Sequence, residues 1–153
     1  MSKPHPVSPD APRAIDNRFL QSLVGYNTRR ATLKILDLFM ARMAALDLKP
    51  VEFSILCLIG HNPGLTSRQV CAELSLLPPN LARLLGGLDQ RQLIERTVVP
   101  TDKRAASLTL SQAGHQLLAQ AEATARQLEL DATAGLTPRQ RETLIGLLQR
   151  IYP

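Results

Sequence analysis

Asn80 and Arg83 stand three residues apart, directly after the pair Pro78-Pro79. Proline suits the first turn of a helix, and residues three apart on a helix share a face. An amide and a guanidinium on one face are suited to base edges in the major groove of B-DNA, Asn to adenine N6/N7 and Arg to guanine O6/N7. These two are the candidate base readers. Ser67, Arg68, Gln69 and Arg96 supply hydroxyl, amide and cationic donors and are candidate phosphate contacts. Ser67 and Gln69 also fall where a helix should start, so their backbone amides can face a phosphate.

Other chemistries find little support. The histidines are His5, His61 and His115, and no Ser/His/Asp or paired-carboxylate arrangement accompanies them at informative spacing. No Gly-rich phosphate loop occurs. An enzyme is therefore not expected, and no catalytic residue is named. The cysteines are Cys57 and Cys71, without zinc-type Cys/His spacing, so neither a metal nor a cofactor is expected. Aromatic residues make up 3% of the chain, which disfavours a single-strand binder that stacks bases. A net charge of +5 favours a polyanionic partner. The excess is spread, with eight Lys/Arg against four Asp/Glu in residues 1–50 and six against four in residues 66–110. The N-terminal stretch lacks the apolar run of a signal peptide, and no segment is apolar enough to span a bilayer. The expectation is a cytoplasmic protein with reduced cysteines and no membrane partner.

The elements that must position these residues follow from the hydrophobic pattern. Residues 1–13 carry four prolines and read as a flexible tail. In 14–49, apolar residues at helical spacing from Phe19 to Met43 predict one long amphipathic helix, suited to dimerisation. In 50–110, Pro50 and Glu52 open a helix that Gly60-His61-Asn62-Pro63-Gly64 stops. Thr66 with Gln69 forms a capping-box pattern for the next helix, and Pro78 opens another after a tight connection. That is a helix-turn-helix pattern. The β-branched run through Val99, a polar turn, and alternating Leu108 and Leu110 predict a β-hairpin. In 111–153, Ser111 caps a long helix that Gly135 ends, and Thr137 with Gln140 opens a last one. The expected fold class is mainly α with a small β-hairpin wing: a winged helix-turn-helix DNA-binding domain flanked by N- and C-terminal dimerisation helices.

In this order of elements, TSRQVCAELSLLPPNLARLLGGLDQRQLIER, TVVPTDKRAASLTLS and AGHQLL resemble the MarR family of transcriptional regulators. The Asp102-Lys103-Arg104 turn, the Leu-Thr-Leu-Ser strand end and Gly114 are the most specific part. The resemblance runs from about Ala14 to the C-terminus. It implies a homodimer that reads double-stranded DNA at pseudo-palindromic promoter sites, with half-sites roughly 34–36 Å apart. It also implies that Arg104 reaches the minor groove, braced by Asp102, with Lys103 beside it; a guanidinium is attracted to a narrow, negative groove. The sequence departs from the family pattern in three places. Leu77 stands where a serine-like cap opens the recognition helix, Gly86-Gly87 lies inside that helix, and Gln92 replaces a glycine before Leu93-Ile94. They suggest a recognition helix less rigid than usual.

The resemblance further implies release from DNA when a small anionic or phenolic effector binds between the dimer arms and the winged helix. Tyr26, Arg30, Phe53 and His61 are the candidate ligand-binding residues. Arg30 can pair with a carboxylate, Tyr26 can stack on a ring, and His61 can bond a phenolic oxygen. Some relatives sense oxidants through a cysteine in the first helix, which has none here. Cys57 in SILCLIG and Cys71 beside Val70 read as buried and inert. The function expected is a ligand-responsive, sequence-specific repressor. The alternative is a winged-helix protein-interaction module without specific DNA binding, which the weak cap and paired glycines would suit.

Overall fold

The computed structural model describes residues 15–99 and 102–152, apart from the side chains of residues 98, 99 and 102–105. Two compact units divide the chain, Met1–Leu33 and Lys34–Pro153. In the first, α1 (Arg18–Gln21) is followed by the start of α2 (Val24–Met43). The single long helix expected here is broken at Ser22-Leu23. Ser22 Oγ donates to the Phe19 carbonyl at 2.7 Å, and Asn27 Nδ2 donates to the carbonyls of Gln21 and Leu23, both at 2.8 Å. Polar side chains thus occupy carbonyls that a continuous helix would use. Ile15, Phe19, Leu20, Leu23, Val24 and Leu33 all leave apolar surface exposed.

The second unit continues α2 into a 3-10 turn, Ala44–Leu46, which ends at Asp47 in the left-handed region (φ 47°). There follow α3 (Pro50–His61), β1 (Leu65–Thr66), α4 (Ser67–Glu73), α5 (Pro78–Gln90), β2 (Ile94–Val99), β3 (Asp102–Leu110), α6 (Gln112–Ala132) and α7 (Pro138–Leu148). The strands form an antiparallel sheet in the order β1-β3-β2. Leu65 faces Leu108 and Ile94 faces Leu110, and the register slips at Val98/Val99. The hairpin is as expected; β1 is an addition, since two residues are too few to show a strand period.

The core explains why these elements pack. Met43 from α2, Ile55, Leu56 and Ile59 from α3, Val70 from α4, and Leu81, Leu85 and Leu88 from α5 are fully buried. Leu108, Ala121 and Leu128 complete the centre from β3 and α6. Burying each Leu, Ile or Met side chain contributes about 1.5–3 kcal/mol. Among the described residues no polar side chain is buried. Arg42 at the end of α2 bonds Asp131 on α6 at 2.7 Å. The Gln127 amide and that guanidinium hold the Asp131 carboxyl below the usual carboxylate range. No helix among the described residues is long and apolar enough to cross a membrane.

Candidate nucleic-acid interface and effector cleft

The helix-turn-helix is built by local chemistry. Thr66 caps α4: Gln69 N–H donates to Thr66 Oγ1 at 3.4 Å, and Thr66 N–H donates back to Gln69 Oε1 at 2.9 Å. The turn after α4 places Ser75 in the left-handed region (φ 50°), and Leu76 N–H closes it on the Cys71 carbonyl at 2.9 Å. α5 then runs without a break through Gly86-Gly87. Gln92 takes the left-handed conformation (φ 57°) without being glycine, and Leu93 N–H bonds the Leu88 carbonyl at 3.0 Å. The three departures from the family pattern therefore leave the length of α5 intact.

Leu81, Leu85 and Leu88 turn one face of α5 into the core, so Asn80 and Arg83 emerge exposed on the other side. Neither side chain bonds another among the described residues. Ser67, Arg68 and Arg96 come together with Cys71 and Ala82 around a depression of about 280 Å³ between α4, α5 and β2. Arg96 Nε lies 3.9 Å from Asp89 Oδ2, a loose pairing that leaves the cation exposed. Gln69 is exposed, but its amide and its side-chain oxygen are both used by Thr66, which leaves the side-chain NH2 as its outward donor. The backbone of Asp102, Lys103 and Arg104 lies in β3; their side chains fall outside the described residues.

A second feature lies between α3 and α6. Phe53, His61, Glu122, Arg126, Glu129 and Leu130 line an open cleft of about 540 Å³. His61 Nε2 sits 2.5 Å from Glu122 Oε1, and Arg126 reaches Glu122 Oε2 at 3.0 Å. The Phe53 ring packs against Phe39 with centroids 5.7 Å apart. The structure thus brings Phe53 and His61 together. Tyr26, half-buried, and Arg30, exposed, lie on the part of α2 that belongs to the first unit. Glu122, Arg126 and Glu129 were missed from sequence, where the pair four apart looks like an ordinary solvated helix pair. Also missed was Arg91, whose guanidinium donates to the Asp47 and Leu46 carbonyls at 2.8 and 3.1 Å and ties the end of α5 to the 3-10 turn.

The fold and the exposed α5 face define a winged helix-turn-helix regulator. The model of the MarR family matches residues 46–105. A protein named for regulation of the hcr operon in Thauera aromatica is 28% identical over 130 residues, covering 84% of this chain and 78% of that protein. The transcriptional repressor CouR, solved on a 23-mer DNA duplex, is 32% identical with a TM-score of 0.83, covering 90% of this chain and 97% of that one. A mutant of MarR from E. coli, solved with operator DNA, is 25% identical with a TM-score of 0.79, covering 90% of this chain and 97% of that one. The chain belongs to the MarR family of transcriptional regulators.

Proposed function

We propose that this chain is a homodimeric repressor that binds pseudo-palindromic duplex DNA and releases it when a small aromatic molecule enters the α3–α6 cleft. The outer face of α5 carries this reading. Its core face is wholly apolar, while Asn80 and Arg83 stand exposed three residues apart, the arrangement that reads purine edges. Ser67, Arg68 and Arg96 supply phosphate contacts beside it, and Arg104 with Asp102 and Lys103 supplies the wing's minor-groove contact. CouR, solved both on DNA and with p-coumaroyl-CoA, supports a protein of this kind that is ligand-responsive. In the cleft, Arg126 and His61 are already engaged by Glu122 and Glu129 adds a further negative charge, so the site with Phe53 suits a neutral phenolic ring over a bare carboxylate. Tyr26 and Arg30, in the first unit, remain further candidate ligand-binding residues. The protein acts in the cytoplasm by binding, not by turnover.

The test is fluorescence anisotropy of the full chain on its own upstream DNA against a scrambled duplex, over a salt series. The expected preference is about a thousandfold or more. Arg83→Ala should weaken specific binding about ten- to a hundredfold, the worth of a bidentate base contact. Equal, weak binding to both duplexes, unaffected by Arg83→Ala, would overturn the proposal in favour of a protein-interaction module.

A further inference from the structure

Leu77 is the N-cap of α5, in extended conformation (φ −75°, ψ 140°), and its side chain makes no capping bond. It is 68% exposed. The two residues that follow are prolines and have no N–H to cap. The next two amides, those of Asn80 and Leu81, both bond the Leu77 carbonyl, at 3.0 and 3.1 Å. The usual loss from a missing N-cap is therefore absent: the first turn has no orphan donor. The same arrangement changes what this end of the helix can contact. It offers no free amide to a phosphate, and its first carbonyl is already doubly used. Ahead of Asn80, what this end presents outward is apolar, the Leu77 side chain and the exposed Pro78 and Pro79 rings.

Recognition helices enter the major groove with their N-terminal residues nearest the bases. The apolar feature that the groove displays there is the C5-methyl group of thymine. We infer that Leu77, with the adjoining proline rings, is a specificity-determining residue that reads thymine methyl groups next to the edges read by Asn80 and Arg83; this rests on the DNA-reading role proposed above. Pro79, which adjoins Leu77, lies one helical turn before Arg83, so the apolar end and the guanine reader address one half-site together.

The experiment starts by selecting bound duplexes from a random library with the full-length protein. In the enriched duplex each thymine of one half-site is then replaced in turn by deoxyuridine, which removes the methyl and leaves the pairing unchanged. At one or two positions the wild type should bind about fourfold more weakly per lost methyl. Leu77→Ala should bind the thymine duplex with that same loss and be indifferent to deoxyuridine there. Leu77→Met keeps an apolar side chain and should keep the sensitivity, and Arg83→Ala should keep it too despite weaker binding. Equal affinity of the wild type for every deoxyuridine duplex overturns the inference, as does a penalty that survives in Leu77→Ala. A library with no enriched sequence removes the DNA-reading role itself and this inference with it, an outcome distinct from the other two. Leu77 lies outside the core, so unchanged thermal melting of the variants should accompany these results.

Discussion

Gly114 sits where no side chain fits. A Cβ there would run into the carbonyl oxygen of Leu93. The close approach exists because Ser111 clamps α6 to the turn that leaves α5. Its Oγ donates to the Gln92 carbonyl at 2.6 Å and accepts from Gly114 N–H at 3.0 Å, while its own N–H bonds the Leu93 carbonyl at 3.1 Å. Gly114→Ala should therefore destabilise the protein by about 1–3 kcal/mol, the cost of overpacking against backbone that cannot yield. A lowered urea midpoint with unchanged slope checks this. Cys57 makes a different prediction. Burial, and after it the charge of Glu122, pushes its thiol up to about 11. The thiolate is the reactive form, so Cys57 in the folded protein should resist alkylation at neutral pH. Its labelling rate should climb about tenfold for each pH unit toward that value, as the thiolate fraction does. Rapid labelling of the Cys57 peptide at pH 7, followed by mass spectrometry, would contradict this and reopen a redox role.

At the scale of elements, α5 carries a cost that its own packing does not require. An added Cβ at Gly86 or Gly87 would meet nothing within 4 Å. Each glycine costs about 1 kcal/mol relative to alanine inside a helix. Gly86→Ala and Gly87→Ala should each raise stability by about that amount. Both positions lie away from the buried Leu81–Leu85–Leu88 face. If that side meets the groove wall, the same substitutions lower DNA affinity while raising the melting temperature, and measuring both separates the two effects. The elements legible in the sequence are those fixed by local bonds. The Thr66/Gln69 and Thr137/Gln140 capping boxes and the Ser111 cap all form as the spacing predicts. The break before α2 was not legible, because it depends on how far one asparagine, Asn27, reaches back along the chain. The cleft was half legible. Phe53 and His61 could be named, but Glu122 lies 61 residues from His61 and only the packing of α3 on α6 brings them together.

At the scale of the whole molecule, the C-terminal helix leaves apolar surface that the proposed homodimer would cover. α7 has 11 residues and none of them is buried. Leu144, Ile145 and Leu147 remain exposed on it, as do Ile151 and Tyr152 beyond its end. Isolated helices shorter than about 12–15 residues are marginal in water, so α7 draws its stability from a covering surface. The second copy proposed above would supply one, with the symmetry that pseudo-palindromic DNA requires. The full chain should therefore sediment as a dimer at micromolar concentration. Leu144→Glu combined with Leu147→Glu should bring it to the monomer, since two buried carboxylates without partners are costly. Because paired reading heads gain about a hundredfold or more over a single one, that monomer should lose most of its specific affinity while still binding a half-site weakly. A variant that stays dimeric would move the interface off α7. A monomer that keeps full affinity would show that one winged helix suffices to read the site, and the two-fold arrangement of the operator would then no longer follow from the protein.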